Sequence, residues 1–542
     1  MNTIQNQKNT LPYSYHTFLL PFLWNASGAV SYGEFEKVIS AGKRWVEEKW
    51  DHIINTNPVQ SGLSRDEWRQ RYGDYQYFTP AANDIMFNVD GKNNVRLYSY
   101  VKHQGFADMQ YIIEKGSDKY ILKLTSIRLK VYDTGVALLM ISGENYDRKS
   151  LDDINAINEY GRRVNMPFLP VGNHVLCADR LSITVNGKTI CDDFAAFLTA
   201  LHTEPGKKAV SWNYIMKPVQ YLLDGDGLDN GGLRVTTNPR KTDGSFMIKP
   251  CIDDRMFVCC LVRNDEFSKA LTSYDSQQGA YCYLTGCSST SEPARSVSDD
   301  LYKFISIETS LTCQSAVMRR KLLEAAVYDR WIDYGTVYGI CQHSFMCVTG
   351  EEECLLTTPI KPFLSQMVEM AALTVVQRSY QLLLFDRVSA ISEKFNADAL
   401  LDEKQFMEIE SLQAMYVKCQ NQILLPQITV QEQGIELYAM LQNHLQIPGN
   451  KSIMDEQINN LRDVSNISHE RMIRDSEERR TKQDAITQNA FNVLAVLFSL
   501  LSIVDPLENL CAGEEWWWPL VFFAGKAAII VGCCCALFRK RK

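Results

Sequence analysis

The C-terminal 54 residues constrain this chain most, because they hold two apolar stretches followed by a basic tail. The first stretch runs from about Asn489 to Val504, and the second runs from Trp516 to Phe538. A transmembrane helix needs roughly 17–25 predominantly apolar residues. The second stretch meets that length, whereas the first has only 15 apolar-rich residues and suffices only as the end of a longer helix. This pattern predicts two C-terminal transmembrane helices.

The distribution of charge predicts how these two helices are oriented. Positive residues near membrane-spanning segments stay on the cytoplasmic side. Arg539–Lys542 follow the second stretch, Arg479 and Arg480 precede the first, and the loop between the stretches holds acids but no lysine or arginine. We therefore expect both termini to be cytoplasmic. The alternative is a helical hairpin that only tethers the rest of the chain.

Composition indicates that the rest of the chain is an ordinary globular protein. Its 542 residues are 46% hydrophobic and 22% charged, which allows a sizeable core and about three domains. The formal net charge of −8 argues against direct nucleic-acid binding, which requires a basic surface. The 16 cysteines are scattered without CxxC spacing, so they do not predict a zinc site.

Residues 1–360 alternate strand-like and helical segments, which predicts an α+β layer. Two strands are predicted around a turn at Asp133-Thr-Gly, and Asn186-Gly187 predicts a β-hairpin. A helix is predicted from about Leu151 to Arg163, because Ser150 can serve as its N-cap and acidic residues follow in its first turn.

The C-terminal third has a different pattern, with helical periodicity and few glycines. From Lys451 the chain contains no proline or glycine until Pro506, and apolar residues recur at three-to-four spacing. Lys451 to Val504 is therefore predicted to form one helix of about 80 Å. The predicted division is residues 1–360, an α/β domain; residues 361–450, a helical subdomain; residues 451–488, a stalk helix; and residues 489–542, a two-helix transmembrane domain with a basic tail.

The first apolar stretch carries a polar seam. Asn489, Asn492, Ser499 and Ser502 are spaced by 3, 7 and 3 residues, which places them on one side of a helix. Polar side chains in a bilayer face a bundle interior or a water-filled path. The seam therefore predicts either contacts between helices or the lining of a pore. A pore would require a ring of several chains, because one chain supplies only two spans.

This layout of α/β body, stalk helix, two spans and basic tail resembles the CorA family of divalent-cation channels. The family's Gly-Met-Asn signature is absent, and the corresponding region reads SIVDPLENL. That motif forms the outer ion filter of the family, so magnesium selectivity does not carry over. A divalent cation is retained only as a possible ligand, and no metal-binding residues are assigned.

The N-terminal body resembles a narrower group, the CorA-like membrane effectors associated with type III CRISPR systems. Four segments carry this resemblance: HTFLLPFLW (16–24), INAINEYGRRVNMPFL (154–169), LYKFISI (301–307) and RWIDYGTVYGICQHS (330–344). The resemblance implies a homopentamer in the prokaryotic plasma (inner) membrane. It also implies an antiviral function in which a nucleotide second messenger, the conjugate of S-adenosylmethionine and AMP (SAM-AMP), binds residues 1–360 and alters membrane permeability. No covalent cofactor is expected.

Arg162 and Arg163 are the leading candidates for ligand binding. Adjacent arginines at a helix C-terminus can simply complement the helix dipole, but arginine also binds phosphate through two parallel hydrogen bonds. The resemblance favours phosphate binding. Asp229, in the acidic loop DGDGLDNGG that begins at Asp224, is either part of a polar turn or an acceptor for the ligand's ribose hydroxyls or amino group.

No enzyme is predicted, because the chain contains no HExxH, GxSxG or Walker A motif. The main hypothesis is a ligand-gated membrane effector. The alternatives are a constitutive divalent-cation transporter that senses its own ion, and a membrane-anchored adaptor without a pore.

Overall fold

The structure is a computed structural model. It describes residues 11–24, 32–34, 39, 44–50, 53, 57–58, 63–91, 94–101, 108–164, 177–193, 215–224, 235–236, 246–251, 255–286, 296–309, 312–395, 401–511 and 517–539. The chain has two compact units: Met1–Ala390 with Ser411–Glu456, and Ile391–Glu410 with Gln457–Lys542.

The first unit is built on strands. In chain order these are β1 (Ser14–Leu23), β2 (Trp45–Glu47), β3 (Val95–Tyr100), β4 (Gln110–Lys115), β5 (Asp118–Tyr132), β6 (Val136–Asn145), β7 (Arg180–Val185), β8 (Lys188–Asp193), β9 (Val235–Thr236), β10 (Phe246–Met247), β11 (Lys249–Pro250), β12 (Phe257–Arg263), β13 (Tyr274–Asp275), β14 (Ala280–Tyr281), β15 (Val327–Tyr328), β16 (Val337–Cys341) and β17 (Ser344–Thr349).

Thirteen of these strands form one mixed sheet. Its main order is β15-β16-β17-β12-β1-β6-β5-β4-β7-β8, with β11 paired to β1, and with β3 paired to both β2 and β5. The pair β12–β17 is parallel, and the other pairs in this sheet are antiparallel. The central strands β1 and β6 pair along ten residues each, and nearly all of their side chains are buried.

Two predicted turns are confirmed. Gly135, at φ +104°, closes the turn between β5 and β6, and its N–H donates to the carbonyl of Tyr132 at 3.2 Å. Asn186 and Gly187, at φ +48° and +78°, join β7 to β8. Both residues of a two-residue type I′ turn need positive φ, which asparagine and glycine tolerate best.

The helices, in chain order, are α1 (Arg65–Tyr77), α2 (Pro80–Phe87), α3 (Leu151–Gly161), α4 (Lys217–Asp224), α5 (Asp265–Thr272), α6 (Cys282–Thr285), α7 (Val297–Ser306), α8 (Ala316–Ala326), α9 (Val368–Ser392), α10 (Glu403–Gln422), α11 (Glu432–His444), α12 (Ile447–Cys511) and α13 (Trp518–Arg539). Short helical turns lie at Ile332–Tyr334, Glu353–Leu356 and Ile360–Pro362, and a π-helical segment, Phe363–Met367, leads into α9.

Helix α3 confirms the helix predicted after β6. The Ser150 hydroxyl accepts from the N–H of Asp153 at 3.1 Å, which satisfies one of the free donors of the first turn. Ile154 and Ile157 are fully buried in the main core. At the other end of α3, a Cβ on Gly161 would lie 2.8 Å from Ile113 Cδ1, so the glycine allows the helix to pack closely on β4.

Four ionised side chains lie together in the interior of the first unit. Glu369, on α9, pairs with Lys130 and with Arg128, whose Nη1 lies 2.5 Å from the carboxylate. Glu48 completes the group at 3.3 Å from Arg128 Nη2. Lys130 is 1% exposed, so its charge depends on this carboxylate for compensation. We call these four residues the buried charge cluster.

Helix α12 is one continuous helix of 65 residues, which confirms that Lys451–Val504 is a single helix. At 1.5 Å per residue it is about 100 Å long. Within the second unit, the N–H of Leu401 donates to Ser468 Oγ of this helix at 2.9 Å. Lys394 and Glu408 form an ion pair at 2.6 Å in the same unit.

The prediction of two C-terminal transmembrane helices is wrong. Within the described parts of the chain, no helix is both long enough and apolar enough to cross a bilayer. The apolar run in α12 is short and lies between Asn489 and Asp505, while Lys526 interrupts the run in α13. The CorA-like fold class, with two membrane helices after an α+β body, is corrected to a large mixed sheet with helices. The predicted placement in a prokaryotic plasma (inner) membrane is corrected with it.

Candidate functional site

A cavity of about 410 Å³ lies at the C-terminal end of α3, and we call it the arginine pocket. Four separate stretches of the first unit meet there. Its lining residues are Glu159, Arg162, Arg163, Arg255, Tyr302, Ser306, Ile307, Glu308, Thr309, Cys341, Gln342 and His343. They come from the end of α3, the residue two places before β12, the end of α7 with the residues after it, and the turn between β16 and β17.

Backbone hydrogen bonds hold these stretches together. Arg163 and Arg255 form an isolated antiparallel bridge, and the N–H of Met256 donates to the carbonyl of Arg162 at 2.8 Å. The chain after α3 is therefore attached directly to the start of β12. In the turn between β16 and β17, Cys341 Sγ lies 3.2 Å from the carbonyl of Ile305, which attaches that turn to α7.

Arg162 is the most unusual residue of the pocket, because it is charged and only 2% exposed. Its Nη2 donates to Glu159 Oε2 at 2.6 Å and to the carbonyl of Ile307 at 3.3 Å. Its Nε and Nη1 have no hydrogen-bond partner among the described residues. An unsatisfied buried donor costs about 1–3 kcal/mol, and more when it is charged. Among the described residues, the guanidinium of Arg162 therefore has hydrogen-bond partners for only one of its three nitrogens.

Glu159 partly compensates two arginines at once. Its Oε2 binds Arg162, and its Oε1 accepts from Arg163 Nη2 at 2.7 Å and from Nε at 3.0 Å. Burial lowers the pKa of Arg162, an effect that Glu159 opposes and that Arg255 reinforces. Burial, and then the charge of Glu159, raise the pKa of Glu308. Three arginines thus face two glutamates in the pocket, which leaves an excess of positive charge.

Ile307, which also lines the pocket, has a strained backbone. Ile307 ends α7 at φ +55° and ψ +57°, a left-handed conformation that is rare for a β-branched side chain. Its side chain is buried, and its carbonyl accepts from Arg162. Such outliers cost about 1–3 kcal/mol and are found most often at functional sites.

Beneath the pocket, α3 is joined to β1 by buried polar side chains. Asn158 Oδ1 lies 2.8 Å from His16 Nδ1, and His16 Nε2 lies 2.8 Å from Ser14 Oγ. Burial lowers the pKa of His16 to about 4, although the hydrogen bond that His16 Nδ1 donates to Asn158 Oδ1 opposes the change. His16 is therefore neutral at physiological pH and fixes the buried side of α3.

The lowered pKa of His16 gives a testable pH dependence. Between about pH 6.5 and pH 4 the unfolded chain binds a proton that the folded protein excludes, so stability falls as the pH falls through this range. The full contribution is about 3 kcal/mol, from roughly 1.4 kcal/mol per pKa unit. We expect the difference in unfolding free energy between the wild type and His16→Gln to shrink by that amount between pH 7 and pH 4, measured by urea denaturation.

The wild type must be compared with the variant because Asp74 changes the stability with pH in the opposite direction to His16. Burial raises the pKa of Asp74 to about 6, so its contribution to stability grows as the pH falls through nearly the same range. Both proteins retain Asp74, and its effect cancels in the difference. A difference that stays constant from pH 7 to pH 4 would show that His16 titrates normally.

The structure brings two of the predicted ligand residues together. Arg162 and Arg163 both line the arginine pocket. Asp229 lies outside the described residues. Arg255 and Glu308 were missed, because each is a single charged residue without a neighbouring pattern in the sequence. A signal did exist, since three of the four segments that carry the resemblance (154–169, 301–307 and 330–344) contribute to this pocket, and the fourth contributes His16.

The four predicted pore-lining residues are all exposed on α12. They are Asn489, Asn492, Ser499 and Ser502. The Ser499 hydroxyl donates to the carbonyl of Ala495, and that of Ser502 donates to the carbonyl of Ser499, each at 2.8 Å. The two serines are thus satisfied by their own helix. Their assignment to a pore depended on the membrane-spanning helix that is corrected above.

The described residues contain no group of three or more His, Cys, Asp or Glu side chains arranged to hold a metal ion. The comparisons with known proteins give no further guidance. No protein-family model matches the sequence, and no curated protein or solved structure matches it either. The resemblance to CorA-like effectors therefore stays a prediction.

Proposed function

We propose that the first unit is a receptor for a small phosphorylated ligand of the nucleotide class, whose phosphate binds Arg162, Arg163 and Arg255. One observation carries this proposal. Arg162 is buried against the cavity with its Nε and Nη1 unpartnered among the described residues. A phosphate has several acceptor oxygens of the kind that these donors lack.

The composition of the pocket also favours an anion. Arginine presents its donors in a planar fork that matches phosphate, and it remains charged when buried. Burial of the pocket reduces screening by salt and water, so each charge-assisted hydrogen bond contributes about 1.5–3 kcal/mol. Glu159 already holds one edge of Arg162 and Arg163, which fixes both side chains before the ligand arrives. Preorganised donors bind more tightly because less side-chain entropy is lost.

The resemblance stated above favours a nucleotide over inorganic phosphate. The ligand panel therefore includes inorganic phosphate, mononucleotides, dinucleotides and SAM-AMP. A ligand at 100 times its dissociation constant is expected to stabilise the wild-type protein by about 2.7 kcal/mol, which raises its melting temperature. Thermal unfolding followed by calorimetric titration measures both quantities.

Arg162→Gln is expected to weaken binding of the best ligand by about 10- to 100-fold, because a charge-assisted hydrogen bond is lost. Arg320→Gln is the matched control, since Arg320 lies on α8 in an exposed pair with Glu324 and outside the pocket. Equal ligand affinities of the wild type and Arg162→Gln would refute the proposal. So would the absence of any stabilisation by the whole panel.

A further inference from the structure

A second cavity, of about 290 Å³, lies beside the arginine pocket. Thr309 lines both cavities, and α3 contributes residues to each. Asn155 lines the second cavity, whereas Glu159 and Arg162 line the first. These three residues have i, i+4, i+7 spacing and lie on one face of α3. Asn155 and Arg162 are about 10 Å apart along the helix axis, so one small molecule can reach both.

Asn155 is a buried amide with one unused atom. Its side chain is 4% exposed. Its Nδ2 donates only weakly, at 3.5 Å, to the carbonyl of Glu308. Its Oδ1 has no hydrogen-bond partner among the described residues. Because the nitrogen faces a carbonyl, the oxygen is the atom left for a ligand, and it can only accept a hydrogen bond.

The other residues of the second cavity also favour a ligand group that donates hydrogen bonds. Asp118 and Asp152 add carboxylate acceptors. The cavity's lysine, Lys115, is engaged by Asp179 at 2.8 Å. The half-buried ring of Tyr160 lines the same cavity, and Lys115 Nζ lies over it at 5.5 Å from the ring centroid. The second cavity therefore accepts hydrogen bonds, whereas the arginine pocket donates them.

We propose that the ligand is a nucleotide whose base carries an exocyclic amino group, and that this group donates a hydrogen bond to Asn155 Oδ1. This inference rests on the proposed function, since the phosphate binds Arg162 in the neighbouring pocket. The base occupies the second cavity. Adenine and cytosine present an amino group at the required edge. Hypoxanthine and uracil present a carbonyl there, which would meet the acceptor of Asn155 with another acceptor.

Calorimetric titration with AMP, IMP and inorganic phosphate tests this inference, because IMP replaces the amino group of AMP by a carbonyl. The wild type is expected to bind AMP about tenfold more tightly than IMP, the value of one hydrogen bond. Asn155→Leu, of similar size, is expected to bind AMP and IMP equally. Its affinity for inorganic phosphate should equal that of the wild type, which also shows that it is folded.

The outcomes separate this inference from the proposed function. If the wild type binds AMP and IMP equally, or if Asn155→Leu keeps the preference, the inference is overturned while the phosphate receptor stands. If Arg162→Gln binds all three ligands as the wild type does, or if the wild type binds none of them, both proposals are overturned. Should Asn155→Leu fail to fold, the comparison of AMP with IMP on the wild type still decides.

Discussion

Glu369→Gln is expected to lower the free energy of unfolding by about 3–5 kcal/mol, the largest effect of any single substitution considered for this protein. Burial alone would raise the pKa of Glu369, but the charges of Lys130 and Arg128 outweigh it and hold that pKa below its ordinary value. The carboxylate is therefore ionised in the folded protein. The amide has nearly the same shape, so the substitution removes the charge without opening a cavity.

The expected loss of stability is large because Lys130 remains buried after its carboxylate partner has been removed. The buried ammonium group of Lys130 keeps two neutral partners, the carbonyl of Met86 at 3.2 Å and the ring of Phe87 with its centroid at 5.4 Å. Arg128 is less affected, since it retains Glu48. Urea denaturation at pH 7 measures the effect. Glu324→Gln is the matched control, because its partner Arg320 is 46% exposed and such pairs contribute less than about 1 kcal/mol.

A double variant tests whether the uncompensated charge of Lys130 causes the loss of stability. Lys130→Met combined with Glu369→Leu removes both charges and leaves apolar groups in their place. The double variant should be more stable than Glu369→Gln alone, because no uncompensated lysine remains. A loss below 1 kcal/mol for Glu369→Gln would refute an uncompensated ammonium group at Lys130. Either water then reaches this side chain, or it releases its proton, since burial lowers the pKa of Lys130.

Glu159→Gln has the second-largest expected effect, and it acts in opposite directions on stability and binding. Without ligand the protein should lose about 3 kcal/mol, because Arg162 and Arg163 share this one carboxylate and Arg162 is almost fully buried. With ligand, the freed donors are available to the phosphate. Removing a negative charge from beside the phosphate is expected to outweigh the loss of preorganisation, so the affinity for an anionic ligand should rise about tenfold, which corresponds to roughly 1.4 kcal/mol.

Thermal unfolding with and without the ligand gives both numbers from one variant. The stabilisation by ligand should be larger for Glu159→Gln than for the wild type. A purely structural role of Glu159 predicts a different result, in which stability falls and ligand affinity falls with it. That result would refute the expected gain in affinity and would show that preorganisation by Glu159 outweighs its repulsion of the ligand.

Local elements of the fold could be predicted from the sequence because their causes are local. Ser150 and the acids that follow it specify the start of α3, and Asn186-Gly187 specifies a turn with two positive φ angles. The continuity of α12 from Lys451 to Val504 followed from the absence of proline and glycine there, although the helix also includes Pro448, Gly449 and Pro506. Each of these signals lies within a few residues of the structure that it specifies.

The membrane helices were predicted wrongly because the two stretches were judged by their length and their flanking charges. Asn492 and Ser499 were interpreted as part of a seam facing a pore or another helix, whereas no described helix is both long enough and apolar enough to cross a bilayer. The arginine pocket was only half predictable for another reason. Arg255 reaches it through the pairing of β12 with β1, and β17 brings its turn there through pairing with β12. Strand order within a sheet is a long-range property that spacing along the chain does not reveal.

The bridge between Arg163 and Arg255 joins positions far apart in the chain, so the proposed phosphate contacts come into being only when the tertiary structure is complete. A synthetic peptide covering α3 and its two arginines would lack most of the cavity wall. If the proposed function is correct, ligand binding requires the intact sheet. Any treatment that opens the sheet is therefore expected to abolish ligand binding, even where individual helices remain folded.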